Sequence, residues 1–279
     1  MVSMASIGKV NWLPVVRETD FGLIFDGGDL GDILMPNRYV SEDWNPGDVV
    51  EVFLMLDSED RLTAVTDKPI AQVDEFALLR VVAVTGIGAF LDWGLPKDLF
   101  VPFREQKIKL REGQEALVRI YLDEVSGRIA ASCKLDRFLD RSQPDYAPDE
   151  KVKLMICSQT DLGFKAIING THWGVLFENE VFQPLKKGQR IEGYIKQVRF
   201  DGKIDLCLQK PGAKKIGALT DVILETIKEQ GGFIPITDKS PPEEIYRLFG
   251  VSKKAYKRAI GGLYKKRLIT FENNGTKLV

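Results

Sequence analysis

FALLRVVAVTGIGAFLDWG (residues 76–94), LPKDLFVPFREQ (95–106) and LREGQEALVRIYLDEVSGRIAASCKL (110–135) are the stretch on which the fold turns. Its apolar residues come in short β-rich runs rather than at helical spacing. A first strand leads through a turn to a glycine-containing strand at Gly88, and a third strand follows over Leu99–Phe103. The turn Glu112-Gly113-Gln114 then precedes a long strand, a charged hairpin over Asp123–Arg128 and a last strand. An antiparallel sheet this short cannot bury both faces unless it closes on itself, so five strands predict an OB-type barrel.

The same layout lies on both sides of this stretch. Upstream, GKVNWLPVVRETDFGLIFDGG, DLGDILMPNRYV and WNPGDVVEVFLMLDSEDRLTAVT repeat it with Gly22, Ile33–Pro36, Pro46-Gly47-Asp48 and Asp57–Arg61. Downstream, EKVKLMICSQTDLGFKAIING, THWGVLFENEVF and LKKGQRIEGYIKQVRFDGKIDLCLQK repeat it with Gly163, Trp173–Phe177, Lys187-Gly188-Gln189 and Arg199–Lys203. A solenoid is the other architecture that a repeat could build. Each unit is long enough to close its own core, which favours separate barrels.

From about residue 213 the period changes. Ile216, Leu219, Ile223 and Ile227 recur at helical spacing, and Gly231-Gly232 supply a stop. Ser240-Pro241-Pro242-Glu243 reads as a capping box with proline in the first turn, and Gly250 ends that second helix. Ser252 caps a third helix running to about Tyr264. Leu268–Glu272 and Thr276–Val279 are strands joined by the hairpin turn Asn273-Asn274-Gly275. Three helices and a hairpin predict a winged helix-turn-helix. The expected chain is therefore mainly β with an α/β tail: barrels over 1–66, 67–144 and 145–212, then a winged helix over 213–279.

The net charge of −1 conceals an asymmetry. Residues 1–66 carry 4 Lys/Arg against 12 Asp/Glu, whereas residues 213–279 carry 13 against 7. An acidic head and a basic tail point to an anionic partner at the C-terminal end. In the third helix Ala255, Tyr256, Ala259, Ile260 and Leu263 give an apolar stripe. Lys253, Lys254, Lys257, Arg258 and Lys265 give a basic one, extended by Lys266 and Arg267. In helix-turn-helix proteins this helix enters a major groove or crosses phosphates. Its basic face has no Asn or Gln to read adenine, so its contacts are expected to position phosphates with weak sequence specificity. A solvated lysine-rich face is the plainer alternative.

The catalytic signals are absent. There is no GxxxxGK[ST] and no GxSxG. Thr85-Gly86-Ile87-Gly88 opens no helix, and the spacing of Asp26, Asp29 and Asp32 is not that of a calcium loop. The single histidine, His172, reads as an ordinary strand residue, and Cys133, Cys157 and Cys207 as reduced core thiols of a cytosolic protein. No run suits a membrane span and the start does not read as a signal peptide. No metal, cofactor or enzymatic activity is expected.

The motif Gly88-Ala89-Phe90-Leu91-Asp92-Trp93-Gly94, with Asp123 and Gly127-Arg128-Ile129-Ala130-Ala131-Ser132, resembles the S1 RNA-binding domain. The first and third segments are similar to diverged copies. Three such units before a winged helix resemble, over nearly the whole chain, the conserved virulence factor B family of bacteria. The resemblance implies bases stacking on exposed aromatics beside cations that track phosphates. Carried over, it implies roles for Phe90, Asp123 and Arg128 in the second barrel. In the first it implies Phe21 and Arg61, with Asp57 completing the hairpin pair. Departures accompany these matches: Ile87 and Pro102 stand where the family has an aromatic and a histidine, and Ile24 and Pro36 depart likewise in the first barrel. In the third, Lys165 takes the place of the stacking aromatic. Lys165, Lys196, Arg199 and Lys203 make the third barrel the best barrel candidate for RNA. The acidic first barrel is expected to bind RNA weakly or to contact protein.

These readings predict a non-catalytic cytoplasmic protein that binds single-stranded RNA and acts on gene expression after transcription. The alternatives are a DNA-binding transcription regulator led by the winged helix, and an adaptor recruiting a nuclease or the ribosome.

Overall fold

The computed structural model describes residues 5–178, 181, 183–208, 216–272 and 274–279. The chain divides into two compact units, Met1–Leu139 and Asp140–Val279. The first holds two barrels; the second holds a third barrel and the winged helix.

The first barrel is built from β1 (Val10–Thr19), β2 (Gly22–Asp26), β3 (Asp32–Pro36), β4 (Val49–Leu56) and β5 (Leu62–Val65). It closes in the order β1-β2-β3-β5-β4, with a parallel pairing of β3 and β5 at Leu34 and Thr63. The second comprises β6 (Phe76–Val84), β7 (Gly88–Asp92), β8 (Leu99–Pro102), β9 (Glu115–Leu122) and β10 (Ile129–Ser132). Its strands follow the same path as a five-stranded sheet, β10-β9-β6-β7-β8. The third, β11 (Lys151–Thr160), β12 (Gly163–Ile168), β13 (His172–Phe177), β14 (Arg190–Val198) and β15 (Ile204–Cys207), closes like the first.

The repeat extends to individual hydrogen bonds. The first strand of each unit bulges once, between Val15 and Arg17, Val81 and Ala83, and Ile156 and Ser158. A bulge bends a strand sharply, which lets a short sheet curl into a barrel. Beside each bulge, Val15, Val81 and Ile156 exchange paired backbone bonds with the glycine turn: Gly47 N–H donates to Val15 O (2.8 Å), Gly113 to Val81 (2.9 Å) and Gly188 to Ile156 (2.7 Å).

The run Val49-Val50-Glu51-Val52-Phe53-Leu54-Met55-Leu56 shows little polar alternation because β4 is covered on two sides. Val50, Val52 and Leu54 fill the first barrel's core. Phe53, Met55 and Val65 belong instead to the core of the second, where Phe53 meets Trp93 edge-on at 5.8 Å. The chain between the barrels is pinned as well: Val73 N–H donates to Gly8 O (2.9 Å), and Val10 N–H to the Gln72 side chain (2.8 Å).

In the winged helix, α1 (Ile216–Glu229), α2 (Pro242–Phe249) and α3 (Lys253–Lys265) pack with a three-stranded sheet in the order β16-β18-β17. These strands are β16 (Phe233–Ile234), β17 (Ile269–Glu272) and β18 (Gly275–Leu278). Leu219, Ile223 and Ile227 line its core with Ile245, Tyr256, Ile260 and Leu263. The start of this region at 213 and the turn residue Asn273 lie outside the described residues. Ser252 caps α3 as expected, accepting from Ala255 N–H at 3.1 Å. Ser240 does not cap α2. Its hydroxyl accepts from Thr237 N–H at 3.0 Å, and the helix begins behind Pro241 without a side-chain cap. Pro242 has no N–H, so one of the groups a cap would satisfy does not exist. Among the described residues no helix is long and apolar enough to cross a membrane.

Burial pushes the Tyr256 phenol up to about 12. The neutral ring is favoured by folding, so its contribution is intact below pH ~10 and is lost as pH rises from about 10 to about 12, a change of about 2–3 kcal/mol. Thermal unfolding followed across that range should show the loss, and Tyr256→Phe should remove this component of it.

Candidate nucleic-acid interface

Each barrel presents a Thr-x-x-Gly turn between its first two strands, and the turn explains both residue types. The hydroxyls of Thr19, Thr85 and Thr160 donate to the carbonyls of Gly22 (2.8 Å), Gly88 (3.4 Å) and Gly163 (3.1 Å). A Cβ on Gly22 would lie 1.9 Å from Met35 O, and one on Gly163 2.1 Å from Leu176 O, so the next strand approaches too closely for any side chain. The residue before each glycine is thrown outward: Phe21 is 76% exposed, Ile87 66% and Leu162 65%. The position the resemblance assigned to an aromatic is thus a solvent-facing apolar tip in all three barrels, and Phe21 is not core.

Two residues further on, Ile24, Phe90 and Lys165 are equivalent by register, pairing with Leu34, Phe100 and Val175. Their surroundings differ. Ile24 is buried. Phe90 is half-buried and packs on Phe100 at 5.1 Å. It lines a cavity of about 770 Å³ with Ile87, Phe103, Tyr121 and Arg128, walled on one side by Met55 from the first barrel. In the third barrel, Lys165 Nζ sits 3.7 Å from the centre of the Trp173 ring, a cation–π pair, while Val175 stands in register where the second barrel has Phe100.

The hairpin cations mostly face carboxylates. Arg61 is paired with Asp57 at 2.8 Å and Glu59 at 2.9 Å. Desolvation raises the Asp57 carboxyl, but the backbone N–H groups of Arg61 and Glu59 and the Arg61 guanidinium outweigh it and lower the carboxyl overall. Arg128 pairs with Asp60 of the first barrel, and Asp123 lies 3.6 Å from Arg104. In the third barrel Arg199 takes the place of Asp57 and Asp123: its N–H donates to Lys203 O as theirs donate to Arg61 and Arg128. Sequence reading made this hairpin basic, yet Arg199 is turned onto Asp205, a carboxylate only 4% exposed that also accepts from Gln197. That arginine compensates a buried charge. Lys203 pairs with Asp201 at 2.8 Å on the surface, a contact that a phosphate can displace at little cost. Lys196 is exposed on β14. Phe200, at the tip of this hairpin and fully exposed, was missed; an aromatic inside a five-residue turn had no core to enter.

On α3, Lys254, Lys257, Arg258 and Lys265 are exposed, as are Lys266 and Arg267 beyond its end. Lys253 stands apart, its ammonium donating to Lys239 O at 3.0 Å. Lys257 has a long contact to Asp238, 3.8 Å. The first turn of α3 holds no acidic residue and two lysines, against the preference of a helix N-terminus for negative charge.

Three small barrels ending in a winged helix define the class of this protein. The S1 domain model matches residues 7–67, and that of the CvfB-like winged helix domain residues 221–278. The S1 resemblance was read from the second segment, whereas the domain model falls on the first. YitL of Bacillus subtilis, described as uncharacterized, is 30% identical, covering 96% of this chain and 92% of YitL. Conserved virulence factor B of Staphylococcus epidermidis is 25% identical, covering 95% of this chain and 92% of the relative. A solved structure of a multidomain protein with nucleic acid binding domains from Streptococcus pneumoniae is 23% identical, covering 98% of both chains, with a TM-score of 0.40. The chain belongs to the conserved virulence factor B family.

Proposed function

We propose that this protein is a non-catalytic, cytoplasmic RNA-binding regulator that acts after transcription and holds single-stranded RNA with little sequence preference. The observation that carries the reading is the exposed face of α3, which offers Lys254, Lys257, Arg258 and Lys265 and no Asn or Gln. Such a face neutralises phosphates without reading base edges. The exposed tips Phe21, Ile87 and Phe200 and the half-buried Phe90 add surfaces on which unstacked bases can lie. The S1 domain matched over the first barrel and the winged helix support the same reading.

The test is the affinity of the full chain for a labelled single-stranded RNA across a salt series. Binding should weaken steeply with salt, log K falling by about 0.7 per neutralised phosphate for each decade. Affinity indifferent to salt would overturn the proposal. Duplex DNA added as competitor separates the rival: if it displaces the RNA at lower concentration than unlabelled RNA does, the winged helix serves duplex DNA instead.

A further inference from the structure

Two consecutive glycines, Gly261 and Gly262, lie within α3, where glycine is among the poorest helix formers. Neither has a left-handed backbone, and a Cβ on either would meet nothing within 4 Å. Internal packing therefore does not require them. Helix geometry places Gly261 one turn from Lys257, Arg258, Tyr264 and Lys265. The helix backbone is bare at that point, in the middle of its cations.

Beside this gap stand two aromatic rings. Tyr264, 53% exposed, stacks on Phe271 of β17, 38% exposed, with centres 5.1 Å apart and planes at 29°. Leu268, 42% exposed, follows the exposed run Lys265-Lys266-Arg267. Exposed rings in a cationic setting suit a ligand that is flat, apolar on its faces and anionic at its edge.

We infer that Gly261 and the Tyr264–Phe271 pair form a base-stacking shelf, where an unstacked nucleobase lies against Tyr264 while its backbone passes close over Gly261 between the α3 cations. The inference rests on the proposed RNA reading and deepens it: it places single-strand preference in the winged helix and assigns that preference to named residues. A duplex keeps its bases stacked on one another and offers no free face to Tyr264.

The experiment uses the full chain and a fluorescein-labelled single-stranded RNA of about 20 nucleotides, several times the site of one small binding domain. Gly261→Ala should move two readouts in opposite directions. The melting temperature of the winged helix should rise by a few degrees, because alanine favours helix and meets no neighbour. RNA affinity should fall about tenfold, because the methyl group occupies the space over the helix. Tyr264→Ala should lose affinity by a similar factor, while Tyr264→Phe should retain it, since the phenyl face suffices for stacking. If the parent chain binds RNA and Gly261→Ala or Tyr264→Ala binds equally well, the shelf is refuted and the RNA reading stands. Duplex affinity that falls as far as single-strand affinity in Gly261→Ala also refutes it. A parent chain that does not bind RNA removes both.

Discussion

Replacing Lys254, Lys257, Arg258 and Lys265 together by glutamate should lower RNA affinity by about 100-fold or more near physiological salt. Four lost phosphate contacts, each contributing about 0.7 to the salt slope, account for much of that, and the added negative charge for the remainder. The slope itself should flatten by roughly three. Helix α3 should survive, because these side chains are exposed and its apolar stripe of Tyr256, Ala259, Ile260 and Leu263 is untouched. Far-ultraviolet circular dichroism checks this. Lys253 is left out because its ammonium holds the Lys239 carbonyl, so a loss there would mix folding with binding. Unchanged affinity in the quadruple variant would transfer the interface to the barrels, with Phe90, Lys165 and Phe200 the next positions to replace.

Trp93→Ala should destabilise the N-terminal unit by about 3–5 kcal/mol, the range for removing a large buried aromatic. The ring is 3% exposed, meets Phe53 of the other barrel edge-on, and donates its indole N–H to Lys97 O at 2.7 Å. Lys97 in turn donates to the carbonyl of Asp57 in the first barrel at 2.8 Å. The loss therefore falls on the seam, and both barrels should unfold earlier and in one transition. Urea unfolding monitored by the remaining tryptophans measures the shift. Phe53→Ala should cost a comparable amount, and the double variant less than the sum, since the two rings share a contact. An unchanged midpoint for Trp93→Ala would mean the barrels do not depend on the seam.

The barrels were legible because three properties of the sequence agree: short β-rich apolar runs without helical spacing, a glycine turn at fixed offsets and a charged hairpin before the last strand. The winged helix was legible from its helical stripe and from Ser252. β16 was not, since two residues, Phe233 and Ile234, are too few to show a period, and their pairing with β18 depends on the fold around them. On α3 the exposure of Lys254, Lys257, Arg258 and Lys265 could be read, because helix geometry decides which way they face. The hairpin cations could not. Whether Arg199 is available depends on Asp205 across the β14–β15 pair, and whether Arg128 is available depends on Asp60 in a different barrel. Tyr264 lies off the apolar stripe that ends at Leu263, so its exposure follows from helical spacing, but its stacking on Phe271 depends on where β17 packs.

Strand β4 serves two cores at once, and this constrains how the gene can change. A recombination event that exchanged the first barrel for an unrelated one would strip Phe53, Met55 and Val65 from the interior of the second. The pair must be inherited together, and substitutions at Phe53 and Trp93 are expected to be matched across relatives, although the two residues lie in different repeats. Two repeats that read as separable along the chain are, through this strand, a single heritable block.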